Sequence, residues 1–214
     1  MRANVVPARF GRMSLESGDQ LQCPAPSGAA IRNALKTHLL TTNAKGSDSI
    51  VIEELGLSRG HVRADIALVN GHLHGYEIKS DRDNFRRLSR QVELYSKVFD
   101  FATLVVGDRF IQSAKHAVPG WWGLLHVSQG ATGLQFKTLR RCRMNPQRDV
   151  RVLAELIWAS EALKLLDERN VAKGVRGKPR RVLWERICQH YRLDEVALAV
   201  RENLKARAMS RALA

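Results

Sequence analysis

Two short segments decide the fold: Arg-Ala-Asp-Ile-Ala-Leu-Val at residues 63–69 and Tyr-Glu-Ile-Lys at residues 76–79. Between them lies the dipeptide Asn70-Gly71, which is typical of a tight turn because asparagine and glycine tolerate positive φ. Apolar segments on both sides of such a turn predict a β-hairpin. We therefore expect two antiparallel strands, at 62–69 and 73–79.

The second strand of this hairpin carries an acid and a lysine on one face. Side chains alternate faces along a strand, so Glu77 and Lys79 point the same way and Ile78 points the opposite way. If the two strands pair, Asp65 lies near Glu77 on that face. Two carboxylates beside one ammonium suit a divalent cation, because hard cations prefer carboxylate and carbonyl oxygens. The hairpin therefore predicts a metal site that contains Asp65 and Glu77.

The rest of the chain predicts an α/β order of elements followed by helices alone. The spacing of apolar residues predicts, in chain order, a helix at 28–41, a strand at 49–55, the hairpin strands, a helix from Asp81 or Asp83 to about Phe99, a strand at 102–106, a short helix at 109–117 and strands at 121–127 and 133–139. From about Asn145 it predicts only helices, at 148–169, from Pro179 and from Asp194. We expect a mobile N-terminal tail at 1–27, a core at 28–144 and a helical C-terminal region at 145–214.

The charge balance indicates a polyanionic partner. The chain has 214 residues and a formal net charge of +14, which favours nucleic acid or an anionic membrane as partner. No apolar run approaches the ~20 residues of a membrane span, and the first residues contain no long apolar signal core. The three cysteines are odd in number and far apart, as is typical of reduced thiols. We expect a cytoplasmic protein that binds nucleic acid and no membrane.

The element order and the motif residues resemble the PD-(D/E)XK nuclease superfamily. Asp65 matches the acid that this superfamily carries on its second strand, and Glu77 and Lys79 match the acid-x-lysine of its third strand. Ala64 departs from the nominal Pro-Asp pattern, but the proline contributes no chemistry. The resemblance covers roughly residues 28–140. It implies an α/β, restriction-endonuclease-like core, in which helices flank a mixed central sheet, followed by a C-terminal helical appendage.

Two further features narrow the resemblance. Gln91 and Tyr95 lie one helical turn apart after the hairpin and are similar to the glutamine-tyrosine motif of the RecB-like branch. The segments at 75–81 and 119–123 look like those of a little-studied bacterial group of nuclease-like proteins. That group implies a fold and a nuclease site, and leaves the substrate open.

The resemblance implies metal-dependent hydrolysis of phosphodiester bonds, with DNA as the expected substrate. Asp65 and Glu77 would hold Mg²⁺, for which Mn²⁺ can substitute, with the Ile78 carbonyl as a third oxygen ligand. Lys79 would orient or deprotonate a metal-bound water and stabilise developing negative charge. Glu54, on the preceding strand, matches the family pattern and would reach the same site directly or through water.

The helix after the hairpin is expected to serve both the site and the nucleic acid. Gln91 would hydrogen-bond the region of Asp65 or Lys79, or a DNA phosphate, and we count it among the catalytic candidates. The side chains expected to contact nucleic acid are Arg82, Arg86, Arg87, Arg90 and Tyr95.

Several alternatives stay open at this stage. An acid-x-lysine strand is also typical of a solvated face with an ion pair, and the protein would then be a non-catalytic nucleic-acid-binding or regulatory module. His72 and His74 flank the turn and face away from Glu77, so we expect no metal role for them. Trp121 and Trp122 are expected in the core rather than stacked on bases. The C-terminal helices could read DNA as a helix-turn-helix, cap the core or form a homodimer.

Overall fold

The computed structural model describes residues 25–43 and 49–212. It is an α/β structure with a six-stranded mixed sheet and helices on both faces. The elements are α1 (Gly28–Asn43), β1 (Ile50–Leu57), β2 (Val62–Val69), β3 (Leu73–Lys79), α2 (Leu88–Val98), β4 (Phe101–Val106), α3 (Ile111–Ala117), β5 (Gly123–Gly130), β6 (Gly133–Arg140), α4 (Val150–Ala154), α5 (Ala159–Glu168), α6 (Arg180–His190) and α7 (Leu193–Ala212). The tail expected at 1–27 lies outside the described residues, except for its last three.

The sheet follows the order of the sequence, from β1 to β6. β1, β2 and β3 form an antiparallel meander, β3, β4 and β5 run parallel, and β6 returns antiparallel to β5. The hairpin prediction is confirmed with its bounds: Val69 pairs with Leu73, and Gly71 has a φ of 96°. The parallel pairs need crossovers, which α2 and α3 supply. Within the described residues, no helix is both long and apolar enough to cross a bilayer.

The sheet separates two apolar layers. On one face, α1 packs with Ile31, Leu35 and Leu39 against a small cluster of buried strand residues. On the other face, α2, α3 and the C-terminal helices share one large cluster with the sheet, which runs from Leu57 in β1 to Leu204 in α7. The C-terminal helices therefore pack on the same sheet face as α2 and enclose the core there.

The helix after the hairpin starts later than the sequence predicts, at Leu88 instead of Asp81 or Asp83. Both aspartates make other contacts. The carboxylate of Asp83 accepts hydrogen bonds from the backbone N–H and the hydroxyl of Ser80. Asp81 accepts from the backbone N–H of Arg109 and packs so closely on Gly107 that a Cβ there would lie 2.3 Å from its Oδ1. Neither carboxylate caps a helix, so residues 81–87 form turns.

The helix predicted at 148–169 is two helices, α4 and α5. The helix is interrupted at Trp158, whose backbone is extended. The backbone N–H of Trp158 donates a hydrogen bond to the carboxylate of Glu161. A new helix start therefore replaces the predicted continuation. The last helix also begins earlier than predicted, at Leu193, and Asp194 lies in its first turn, where it pairs with Arg148 instead of capping.

Candidate active site

Glu77 stands at the centre of a hydrogen-bonded network near the end of β3. Its Oε1 accepts from the Lys79 ammonium at 2.8 Å and from the Gln91 amide at 2.6 Å. Its Oε2 accepts from the Tyr95 hydroxyl at 2.8 Å. Gln91 completes the loop, because its side-chain oxygen accepts from Lys79 at 3.1 Å. Side chains from β3 and α2 thus meet around one carboxylate, and the spacing of one helical turn between Gln91 and Tyr95 lets both reach it.

The environment of Glu77 disfavours its charged form. Only 1% of the residue is exposed, and 8% of Lys79. Burial, and after it the nearby Asp65 carboxylate, raise the pKa of Glu77 to about 7, although the contacts from Lys79 and Tyr95 oppose this rise. Burial likewise raises the pKa of the Tyr95 hydroxyl, so this group stays a donor. Glu77 therefore titrates near neutral pH, as perturbed carboxyls in functional sites often do.

Asp65 lies beside Glu77 and bridges β2 and β3. Its Oδ2 accepts from the Ile78 N–H at 2.8 Å, and its Oδ1 accepts from the Arg32 guanidinium at 2.9 Å. The same Arg32 nitrogen lies 2.8 Å from Oε1 of Glu54. The three acids on β1, β2 and β3 are therefore near one another, and two of them share one guanidinium from α1.

Glu54 has an unusual backbone for a residue within a strand. Its φ is 53°, in the left-handed region that residues other than glycine seldom occupy. The usual alternation breaks at this point, because Ile50 and Ile52 pack against the large core cluster and so do Leu55 and Leu57. Alternation along the whole strand could not have identified the acid that faces the site.

The two neighbouring glutamates of β1 have different partners. Glu54 joins Asp65 through Arg32. Glu53 pairs instead with Lys36 on the exposed side of α1, at 2.5 Å. Of the two, Glu54 is the one that lies with the acids of the site.

Two cavities lie against these acids. The smaller, of about 170 Å³, is lined by Asp65, Glu77, Ile78 and Lys79 among others. The larger, of about 400 Å³, lies on the outer side of Asp65, and its lining residues are Glu54, Gly60, His61, Val62, Arg63, Asp65, Arg87, Arg90 and Gln91. The acids therefore lie between a small inner cavity and a wider outer cavity with a basic rim.

The proposed nucleic-acid contacts divide into two groups. Arg87 and Arg90 line the outer cavity, whereas Arg82 and Arg86 are exposed on the turns before α2 and line neither cavity. Only Arg90 of the four lies within α2, since the helix starts later than predicted. Tyr95 is completely buried. We therefore correct the expectation for Tyr95: this side chain has no surface for nucleic acid and instead holds Glu77 from within the core.

The site contains residues that sequence reasoning missed. Arg32 contacts two of the three acids, and Arg63 and His61 join the rim of the outer cavity. A signal for Arg32 existed, because it follows Ile31 and so lies at the edge of the apolar stripe of α1. The same is true of Lys36 after Leu35. Nothing local in the sequence shows that this edge of α1 faces β1.

The side chains that were not expected to act in the site lie in other places. His74 contacts Tyr76 and Thr103 on the opposite sheet face, and burial together with the nearby His72 lowers its pKa to about 3. Trp121 and Trp122 are 7% and 0% exposed, which confirms that they pack in the core.

The donor set around the inner cavity is compatible with a divalent cation. Within residues 25–43 and 49–212, no three His, Cys, Asp or Glu side chains gather as a ready metal cluster. Magnesium, however, commonly takes only one or two carboxylates and keeps several waters. The N–H of Ile78 points to Asp65, and the carbonyl of a strand residue points to the same side as its N–H. Asp65, Glu77 and the Ile78 carbonyl therefore offer oxygens on one side of the sheet.

Comparison with known proteins assigns the chain to a family. A family model described as bacteriophage P4 protein cII matches residues 27–213. The chain belongs to the bacteriophage P4 protein cII family. The match includes both the strands that carry the acids and the C-terminal helices.

Two individual proteins resemble the chain. Protein cII of Enterobacteria phage P4 is 27% identical over 125 residues, which cover 58% of this chain and 47% of that protein. The chain thus aligns with about half of the length of that relative. A solved structure of SPO1766, a protein of unknown function from Silicibacter pomeroyi, has a TM-score of 0.44 and 19% identity, and covers 71% of this chain and 97% of that one.

Proposed function

We propose that this protein is a metal-dependent nuclease that hydrolyses phosphodiester bonds in DNA, built on a restriction-endonuclease-like core. The observation that carries the proposal is the network in which Lys79, Gln91 and Tyr95 all donate to the buried carboxylate of Glu77. A solvated strand face would not bury an acid and a lysine to 1% and 8% exposure. Buried charges of this kind are seldom kept for stability alone, because the loss of hydration offsets much of the attraction.

Each residue then has a distinct part in the reaction. Asp65, Glu77 and the Ile78 carbonyl would hold Mg²⁺ or Mn²⁺, which when bound polarises the phosphoryl oxygen and acidifies a water ligand. Lys79 presents its ammonium at the inner cavity and would orient the attacking water and stabilise the negative charge that develops on the phosphate. Gln91 fixes both Glu77 and Lys79, and its position would keep their geometry constant during the reaction.

The rim of the outer cavity supplies the substrate contacts in this proposal. Arg63, Arg87 and Arg90 surround the opening beside Asp65, and their exposed guanidinium groups suit phosphate oxygens. The formal net charge of +14 would draw a polyanion toward the protein from a distance. Glu54 lies at the same opening and would act through a water on the bound cation.

The decisive experiment is a cleavage assay with matched variants. Supercoiled plasmid, linear duplex and single-stranded DNA are each incubated with Mg²⁺, Mn²⁺ or chelator. We expect cleavage with either metal and none in chelator. Lys79→Ala should abolish most of it, whereas Lys97→Ala, which removes a partly exposed lysine that pairs with Glu93 on α2, should not. Undiminished cleavage in chelator would reject the mechanism.

A non-catalytic nucleic-acid-binding or regulatory module is the second candidate, and Arg32 favours it. This guanidinium already pairs with both Glu54 and Asp65 and offsets part of their negative charge, so the outer acids are stabilised without a metal. The same assay separates the candidates. Salt-dependent DNA binding without cleavage by any metal, on any of the three substrates, would select the binding module.

We also propose a cytoplasmic location and a homodimer formed through the C-terminal helices. Leu198 and Met209 of α7 are 49% and 60% exposed, which would suit a helix contact between two copies. Light scattering of the wild type and of Leu198→Lys tests the dimer. A mass of one chain at all concentrations would contradict it.

A further inference from the structure

A third cleft extends the candidate active site toward the C-terminal helices. It has a volume of about 360 Å³ and lies between β1 and the helices α5 to α7. Glu54 and Gly60 line both this cleft and the outer cavity. The outer cavity and this cleft are therefore neighbours on one surface. A nucleic-acid strand bound beside the acids would continue into the cleft.

The cleft contains an exposed indole held in a fixed position. Trp158 is 49% exposed, whereas the other three tryptophans of the chain, Trp121, Trp122 and Trp184, are 7%, 0% and 5% exposed. The guanidinium of Arg207 lies over the Trp158 ring, 4.1 Å from its centre. One face of the ring is thus covered, and half of the residue remains open to the cleft.

Several contacts fix this pair of side chains. The backbone N–H of Trp158 donates to Glu161 at 2.8 Å, which fixes the backbone that carries the indole. Arg207 donates to the Leu156 carbonyl at 2.8 Å and forms an ion pair with the same Glu161. An exposed tryptophan on a surface usually has no such support. The arrangement provides a rigid flat surface, which is what stacking on a nucleobase requires.

The charges around the indole leave the cleft basic. Its acids are neutralised by cations: Glu53 by Lys36, Glu54 by Arg32, and Glu155 by Arg59 at 3.8 Å. Arg180 and Arg211 are exposed and also line the cleft. Among residues 25–43 and 49–212, neither of these arginines has an acidic partner.

We propose that this cleft, here called the Trp158 cleft, binds an unpaired segment of single-stranded DNA next to the bond that is cut. One base would stack on Trp158, and phosphates would bind Arg180 and Arg211. The bases of a duplex are already covered by their neighbours, so a ring at the bottom of a cleft can stack only on an unpaired base. The proposal rests on the proposed nuclease function and deepens it, because it assigns DNA with a single-stranded segment as the substrate class.

Tryptophan fluorescence tests the proposal directly, because only Trp158 is substantially exposed. Full-length protein in chelator is titrated with oligo(dT), with a duplex of the same length and with oligo(U). We expect saturable quenching by oligo(dT) and little by the duplex. Equal quenching by duplex, no quenching by oligo(dT), or a stronger response to oligo(U) would each overturn the proposal.

Variants separate stacking from charge. Trp158→Ala should weaken oligo(dT) binding by about 5- to 150-fold, the range seen when one stacked aromatic is removed, and leave duplex affinity within about twofold. Trp158→Phe keeps a flat ring, so it should lose the quenching signal but keep most of the affinity. It also guards against a folding defect in the alanine variant. Unchanged oligo(dT) affinity in a folded Trp158→Ala protein would overturn the proposal.

Two controls complete the design. Arg180→Ala and Arg211→Ala should each weaken oligo(dT) binding more than Arg141→Ala, which removes an exposed arginine that does not line the cleft. Polyglutamate should compete poorly; competition equal to that of oligo(dT) would indicate a general anion site and overturn the proposal. Binding is measured without metal, so a failure of cleavage leaves this result standing, and a failure of binding leaves the cleavage result standing.

Discussion

The inner and outer halves of the candidate site hold their acids in different ways. In the inner half, Glu77 is buried with Lys79 and held by neutral donors of α2. In the outer half, Glu54 and Asp65 share Arg32, and their side chains are 41% and 20% exposed. The protonation of the inner acid, Glu77, depends mainly on its burial. The outer acids, Glu54 and Asp65, are instead held by an ion pair that another cation can replace.

This difference predicts which cationic side chain an incoming metal ion can displace from its acid. Partly exposed ion pairs contribute only about 0–1 kcal/mol, so an incoming cation can displace Arg32 at little cost. A buried pair behaves otherwise, because removal of one partner leaves an uncompensated charge in the core. We therefore expect substitutions of Lys79 in the inner half to change rate and stability strongly, and those of Arg32 and Glu54 in the outer half to have modest effects.

The largest effect is expected for Lys79→Ala. Loss of the ammonium at the inner cavity should lower the single-turnover cleavage rate by about 10²–10⁴-fold, the usual contribution of a positioned proton-transfer group. DNA affinity should stay nearly unchanged, because the basic rim is intact. Near wild-type cleavage, in a preparation free of contaminating nuclease, would mean that Glu77 and Lys79 form only an ion pair.

The next effect is a pH dependence of stability that comes from Glu77. Its pKa rises from 4.5 to about 7 on folding, so the folded protein binds this proton more tightly than the unfolded chain. The resulting stability is fully present below pH 4.5 and is lost as the pH rises through about 7. The loss should amount to about 3 kcal/mol in the free energy of unfolding.

Urea unfolding in chelator at pH 5 and at pH 8 measures this loss. Glu77→Gln is the matched control, since a glutamine keeps the hydrogen-bonding shape and does not titrate. The difference in unfolding free energy between wild type and Glu77→Gln should therefore change by about 3 kcal/mol between the two pH values. A constant difference would show that Glu77 is ionised throughout and that the inner half resembles the outer half.

A smaller effect is expected for Arg32→Gln, without nucleic acid present. Removal of the guanidinium frees Glu54 and Asp65, so the affinity for Mn²⁺ should rise by about fivefold, which corresponds to ~1 kcal/mol of competing ion pair. Calorimetric titration measures this. Lys36→Gln is the control on the same helix, because Lys36 pairs with Glu53 outside the site. Weaker Mn²⁺ binding by Arg32→Gln would mean that Arg32 and the metal are bound together.

The smallest expected effect is a difference in cleavage rate between variants of two adjacent acids, Glu54 and Glu53. Glu54→Gln should slow cleavage by about threefold, since a partly exposed acid that acts through water contributes less than 1 kcal/mol. Glu53→Gln should leave the rate within error, since a surface change of this kind has little effect. Equal effects of both would show that the left-handed backbone at Glu54 does not select between them.

The sequence predicted the parts of the fold that depend on neighbouring residues. The hairpin follows from Asn70-Gly71 and from the apolar alternation around it, and its bounds are correct. The predicted start of α2 was wrong because Asp81 binds Arg109, a contact that only the finished fold makes, and because Asp83 binds Ser80 in a local turn instead of capping the helix. The interruption of the helix at Trp158 was missed because the apolar spacing continues across it.

The candidate site shows the same limit. The spacing of Glu77 and Lys79, together with the resemblance of Gln91 and Tyr95 to a known motif, was enough to count Gln91 among the site candidates. It was not enough to predict that Tyr95 is completely buried, because burial depends on how α2 packs on the sheet. Arg32 was missed because nothing local in the sequence shows that its edge of α1 faces the strands that carry Glu54 and Asp65.

One buried acid ties the sheet to the C-terminal half of the chain. Asp100, which is 2% exposed, accepts from the Leu73 N–H at the start of β3 and from Arg148 just before α4, and it lies 3.7 Å from Arg201 of α7. If the chain ended before Arg148, the Asp100 carboxylate would remain in the core without Arg148 or Arg201. Unfolding of the full chain should therefore proceed as one cooperative transition across sheet and helices, and a core shortened to residues 28–144 should not fold by itself.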